Sequence, residues 1–545
     1  MLIRLKGGRV IDPVHDRDAA GDVFIEDGRI AAALPQGRAA DDTHDVSGKI
    51  VMAGAVDIHS HIGGSNVTMA RLLMPELPAL ANEEGADIAS TPASWSAFAT
   101  GIRYAEMGYT TVIEPALIPT HAIEAQTELA RIPIIDVGGL VILGNDDFSL
   151  GLLHDGAGSS EIEDYVAWTL SHTKGLGLKV INAGGCAAFK FNARSFGLDD
   201  VVPAYGVTSR AVLQALQHAV TALGVPHPVH VHCNNLGLAG NVATAVATIA
   251  AADGLPMHLA HIQFYGYGSD GPNGLSSGAA RLTEAINTHK NVSVDIGQVL
   301  FGQTTTLSGD ILRQFDGRGA AQPNKWEIIQ GEGNGTGLVP YKYRAASFVN
   351  AVQWAIGLEI MLLAEDLWRV LFSTDHPNGA LFTRYPEIIH LLMDRDERAR
   401  WLEQVPAEAR EVCNLPGITR ELTLPEVAIV TRGAPARILG LTDRGHLGAG
   451  AVADVAVYTE QKDKTAMFSH ANLVFKDGAL VVREGEVINV TWGRAFQVAP
   501  GFDTAIERKL DRYWDRYYGI GTSSFGVPAD IAGRPQRFAT VPCQI

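Results

Sequence analysis

Short apolar runs that end in a metal-ligand type of side chain constrain this chain more than any other feature. The stretch "AGAVDIHSHIGG", residues 53–64, closes such a run with two histidines one residue apart, followed by two glycines. In an extended strand, alternate side chains share a face, so Asp57, His59 and His61 are expected to point the same way. A carboxylate and two imidazoles on one face are a poor core and a good metal site. Four further runs have the same character: "CAAFKFNAR" with Lys190, "PHPVHVHCNN" with His227, His230 and His232, "MHLAHIQF" with His258 and His261, and "VLFSTDHPNG" with Asp375 and His376.

Together with "TTVIEPAL", "IPIIDVGGLVIL" and "VSVDIGQVLF", these runs alternate with helical stretches from about residue 51 to 441. Repeated βα units of this kind suggest an α/β fold, either a parallel sheet or a (β/α)8 TIM-like barrel with insertions, and in a barrel the C-terminal strand ends converge on one mouth. The intervals between the polar strand ends place His59 and His61, Lys190, His232, His261 and Asp375 on strands 1, 4, 5, 6 and 8. His230 and His232 share a face of one strand, so the alternation leaves either as the ligand. His258 lies deeper in its strand than His261 and reads as a core or supporting residue, and His376 as a neighbour of the site. Cys186 and Cys233 read as buried small side chains rather than nucleophiles.

Residues 1–50 and 442–500 have a different texture, with short alternating strands and tight turns at Asp27-Gly28 and Asp477-Gly478. Chain ends that bracket a barrel suit one small composite β-sandwich domain. "TLPEVAIVTRGAPARILGL" closes the barrel region, with Thr423 and Glu426 at capping-box spacing. Residues 501–545 form an extension in which Ile506, Leu510, Tyr513, Trp514 and Tyr517 share one helical face, with Gly519 as a stop. That face suits packing on the chain's own barrel or docking to another protein chain.

The net charge of −17 argues against a nucleic-acid partner. The four cysteines show no paired spacing, and the N-terminal "MLIRLKGGRV" has no apolar targeting segment. No apolar run is long enough to span a bilayer, so a cytoplasmic location away from membranes is expected.

The ordered set HxH, Lys, His, His and Asp resembles the amidohydrolase superfamily with a binuclear metal centre. "GGRVIDP", "DVFIEDGRI", "SGKIVMAGAVDIHSH" and "ARILGLTDRGHLGAGAVADVAVY" are similar to its dihydroorotase and hydantoinase branch. "HPVHVHCNNLG", "LPMHLAHIQFYGYG" and "LFSTDHPNGALFTRYPEIIHLL" are similar to the large subunits that handle the formyl amide of methanofuran-type carriers. The resemblance implies two Zn2+ ions. His59, His61 and Asp375 would hold one, His232 and His261 the other, and a carboxylated Lys190 would join them. It favours His232 over His230 through the His-x-Asn ending, and makes Asp375 the catalytic proton carrier.

The activity so implied is hydrolysis of a formyl-carrier amide to formate and free amine. The setting would be a hetero-oligomeric complex of one-carbon metabolism, in which a formyltransferase and other subunits accompany this chain. The same resemblance admits the reverse condensation in a formylmethanofuran dehydrogenase, or a cyclic-amide hydrolase.

Overall fold

The computed structural model describes residues 1–34, 38–73, 96–190, 193, 195–271, 274–308, 329–330, 337–531, 534–535 and 538–544. Its centre is a row of eight parallel strands: β1 (Ala55–Asp57), β2 (Tyr109–Leu117), β3 (Asp136–Leu143), β4 (Gly177–Ile181), β5 (Val229–His232), β6 (Met257–Leu259), β7 (Val292–Asp295) and β8 (Val370–Leu371). β1 and β8 meet at the rim, where Ser60 bridges His376 in parallel and the His61 N–H donates to the His376 carbonyl at 2.9 Å. Most strands are buried along their whole length, as expected of parallel strands covered by helices.

Two expectations for the barrel need correction. The run from Cys186 is not strand 4: Gly185–Lys190 is a short α-helix, and strand 4 is the preceding "GLKVI". Both segments are brief and apolar, so length and periodicity do not separate them. Composition does, since Ala187 and Ala188 favour a helix while Val180 and Ile181 favour a strand. The second correction concerns Asp57. β1 stops there, because the His59 N–H folds back to Asp57 Oδ1 at 3.0 Å. Asp57 Oδ2 instead accepts from the buried hydroxyls of Tyr385 at 2.5 Å and Tyr104 at 2.8 Å.

Strands from residues 2–53 and 455–487 form one nine-stranded sheet around a shared apolar cluster that includes Leu5, Val10, Ile25, Val51, Val455 and Phe475. Its first strand, Leu2–Asp12, pairs with Asp42–Asp45 through its first half and with Lys49–Ala53 through its second. Asp27-Gly28 and Asp477-Gly478 both turn with positive φ, as two-residue hairpins of this kind require. A buried charge cluster ties this sheet to the barrel. Lys476 Nζ lies 2.9 Å from Asp454 Oδ2 and 2.9 Å from Asp136 Oδ2 at the start of β3, which also accepts from Arg444 Nε at 2.8 Å. Removing one member of such a cluster typically costs about 3–5 kcal/mol, because its partners stay buried and charged.

The capping box forms, with the Glu426 N–H donating to Thr423 Oγ1 and the Thr423 N–H to the Glu426 carboxylate. The last helix, Ala505–Tyr518, buries Ile506, Leu510 and Trp514 and ends at Gly519 in the left-handed region. Asp164, on the helix Ser159–Thr173, accepts the Asp503 N–H at 2.8 Å, and Phe148 meets Tyr513 edge-on at 5.3 Å. Tyr517 and Tyr518 stay exposed. Among the described residues, no helix is long and apolar enough to cross a membrane.

Candidate metal centre

His59 and His61 follow β1, His232 ends β5, His261 follows β6, and Asp375 lies past β8; all five are buried. Asp375 Oδ1 is 3.0 Å from His59 Nε2 and 3.4 Å from His61 Nε2, so three ligand-type atoms converge. The His261 ring centre is 4.7 Å from that of His232 and 5.2 Å from that of His59. His261 and Asp375 both adopt positive φ, which turns their side chains over the mouth. Gly297 makes room for them: a Cβ there would sit 2.5 Å from His261 Cβ and 3.5 Å from Asp375 Cβ.

Two carboxylates outside the sequence-derived ligand set orient the leading imidazoles. His61 Nδ1 lies 2.9 Å from Glu114 Oε1 on β2, and Glu114 Oε2 takes the N–H groups of Ile62 and Gly63. His59 Nδ1 lies 3.1 Å from Asp295 Oδ2 at the end of β7. A proton on each Nδ1 leaves the Nε2 lone pairs free to face Asp375, the usual arrangement of metal-binding histidines. Asp295 fits the same strand-end pattern as the predicted ligands and could have been found by it. Glu114 lies mid-run in "TTVIEPAL" and gives no comparable signal.

His230 belongs to a different level. It pairs in register with Lys179 on β4 and His258 on β6. Its Nε2 is 3.0 Å from His59 Nδ1 and its Nδ1 is 3.0 Å from His227 Nε2. His258 bridges Ser293 Oγ at 2.8 Å and Asp295 Oδ2 at 3.2 Å. Every ring nitrogen of His230 and His258 thus has a partner. By contrast His232 Nε2, His261 Nδ1 and Asp375 Oδ1 are buried and have no hydrogen-bond partner among the described residues. An unpaired buried polar atom costs about 1–3 kcal/mol, so three in one pocket call for a ligand. A divalent cation fits that donor set.

Lys190 ends the helix Gly185–Lys190, and its side chain lies outside the described residues. Lys179 is the lysine that β4 brings to the pocket. It is buried, with Nζ 3.4 Å from His59 Nε2. Its long side chain climbs from the register row of His230 to the level of the ligands, which an imidazole in that row cannot do.

Burial pushes the Lys179 ammonium down to about 8 and the His261 imidazolium down to about 3, and holds His232 well below its ordinary range. Burial pushes Asp375 up, yet the facing imidazoles of His261 and His59 hold it well below the carboxylate range. His232 and His261 are therefore set to be neutral and Asp375 ionised near neutral pH, whereas His61 is raised, because its burial is outweighed by the Glu114 and Asp375 carboxylates. Cys186 and Cys233 are buried, and burial pushes the Cys233 thiol up to about 12, which removes it as a nucleophile.

An eight-stranded parallel barrel with an imidazole and carboxylate pocket at its mouth defines a metal-dependent hydrolase architecture. The chain belongs to the amidohydrolase family, whose model matches residues 42–488. It is 50% identical to the A component of the formyltransferase/hydrolase complex Fhc of Methylorubrum extorquens AM1 over 536 residues, 97% of each chain. It is 33% identical to protein FwdA of Methanocaldococcus jannaschii, again over 97% of each chain. A crystal structure of the Methylorubrum extorquens complex FhcABCD with methylofuran contains a chain that superposes with a TM-score of 0.93 at 48% identity, covering 100% of both chains.

Proposed function

We propose that this chain is the hydrolase component of a formyltransferase/hydrolase complex and cleaves the formyl amide of a methanofuran-type carrier to formate and free amine. The observation that carries the chemistry is a cluster of buried ligand atoms: His232 Nε2 and His261 Nδ1, without a hydrogen-bond partner among the described residues, and Asp375 Oδ1, which faces His59 Nε2 and His61 Nε2. The likeness along 97% of the chain to one component of such a complex supports the activity, and the methylofuran bound in the crystal structure of that complex supports the substrate.

In this reading His59, His61 and Asp375 would hold one zinc ion, His232 and His261 would hold the second, and Lys179 would take the role that the resemblance gives to Lys190. A lysine ammonium has no lone pair to offer. Burial favours the neutral amine, which can add carbon dioxide to give a carbamate with two ligand oxygens. Two metals bound there would supply an activated water at neutral pH and a polarised carbonyl.

The chain's own groups do the rest. Glu114 and Asp295 fix the two leading imidazoles. Asn378 Nδ2 donates to Asp375 Oδ2 at 2.8 Å and fixes that carboxylate. Asp375 takes the proton of the attacking water and delivers it to the departing nitrogen, first as base and then as acid.

The test is to present the purified protein with formylated furfurylamine, dihydroorotate and hydantoin side by side, with metal content measured on the same sample. About two zinc ions per chain, and formate from the linear amide alone, is the expected result. Ring opening without formate release would overturn the assignment in favour of a cyclic-amide hydrolase.

A further inference from the structure

Arg71 lies on the helix Ser65–Leu73, which leaves the rim directly after the HxH strand. Its Nη1 donates to Glu128 Oε1, and Glu128 Oε2 accepts the Gly64 N–H at 2.8 Å, so the guanidinium is tethered three residues beyond His61. Its other edge is unpaired: Nε and Nη2 are both buried and neither has a hydrogen-bond partner among the described residues. These two nitrogens direct their hydrogens in parallel along one side of the guanidinium plane, the fork that matches both oxygens of a carboxylate. The side chain as a whole is 25% exposed, while the two edge nitrogens themselves face the protein interior. The Arg71 charge is also felt by His376, beside Asp375.

We propose that the Nε/Nη2 edge of Arg71 is a carboxylate-binding subsite at the mouth of the barrel. Glu128 already balances the arginine charge, which leaves two donors without surplus positive charge. That suits a small monoanion better than a phosphate. If the deformylation reading holds, formate is the carboxylate that this chain produces. A carboxylate carried elsewhere on the substrate offers the same chemistry. Only the naming of formate rests on that reading; the subsite itself does not.

The test uses the full-length metal-loaded protein with Arg71→Gln and Arg71→Lys. Formate binding is followed by calorimetry with chloride as control, and KM for the formylated amine and metal content are measured in parallel. Both variants should keep their metal. Arg71→Gln should bind formate roughly ten- to a hundredfold more weakly, and Arg71→Lys should recover little, since an ammonium lacks the fork. A rise in KM for a formylated amine that carries a carboxylate, with formate binding and the KM for formylated furfurylamine intact, would assign the subsite to a carboxylate of the substrate. Formate binding that depends on Arg71 in a protein releasing no formate would uphold the subsite and remove the deformylation reading. Unchanged formate binding and unchanged KM in metal-loaded Arg71→Gln would overturn the proposal.

Discussion

The rim and the floor of the barrel use the same side chains for opposite ends. On the floor, His227, His230, His258 and Asp295 form a buried network in which each imidazole is spoken for by a neighbour. At the rim, His232, His261 and Asp375 are equally buried and, among the described residues, leave ligand atoms unpaired. His59 joins the two levels, with Nδ1 committed downward to Asp295 and Nε2 facing upward to Asp375. The contrast teaches that burial of a histidine says little about its role, whereas satisfaction of its nitrogens says a great deal. A satisfied network is a rigid support, and an unsatisfied one is a site.

The largest expected effect breaks the contrast at Lys179, which crosses between levels. Lys179→Ala should lose both metals and reduce hydrolysis by about a thousandfold or more, because two metals and their shared charge go together. Lys190→Ala should keep near wild-type metal and turnover. Metal analysis and single-substrate kinetics on the pair decide the matter. Retained metal in Lys179→Ala with loss in Lys190→Ala would return the joining role to the helix residue.

A smaller effect separates the two histidines of β5. His232→Asn removes a ligand atom at the rim and should leave about one metal per chain, with most activity gone. His230→Asn removes a support beneath His59. It should keep two metals per chain at saturation but weaken their binding about ten- to a hundredfold, the usual cost of losing such a support. Metal titration of both variants checks this. If the two behave alike, the division between rim and floor does not hold.

Most of this barrel is legible in the sequence, because parallel strands buried on both faces read as apolar runs and their ends carry the chemistry. His59, His61, His232, His261 and Asp375 stand together for that reason. Lys179 escapes such a reading because its long side chain reaches His59 one level above its own backbone, and a strand-end criterion looks two residues too late to notice it. "CAAFKFN" offers a lysine in the expected place, and six residues are too few for periodicity to distinguish helix from strand. Glu114 cannot be found in this way, since its link to His61 joins positions 53 apart in sequence and exists only after β1 and β2 pair. Choosing between His230 and His232 needs the third dimension as well. Both face the same way along the strand, and only their hydrogen-bond partners differ.

The smallest effect tests the floor by acid. Burial, reinforced by the nearby charge of His258, pushes His227 down to about 3 from an ordinary 6.5. In the unfolded chain it titrates normally, so below pH 6.5 the unfolded state binds a proton that the folded state refuses. The stability held at neutral pH is therefore lost as pH falls from about 6.5 toward 3, at about 1.4 kcal/mol per pH unit for this one group. Urea unfolding of the metal-saturated protein at pH 7.5, 6 and 5 should show that decline. His227→Gln, which cannot titrate, should be less stable than wild type at pH 7.5 yet lose about one proton's worth less stability on the way to pH 5. Identical pH slopes for the two proteins would mean that His227 accepts its proton in the folded state, and that the floor is wetter and less rigid than its hydrogen bonds indicate.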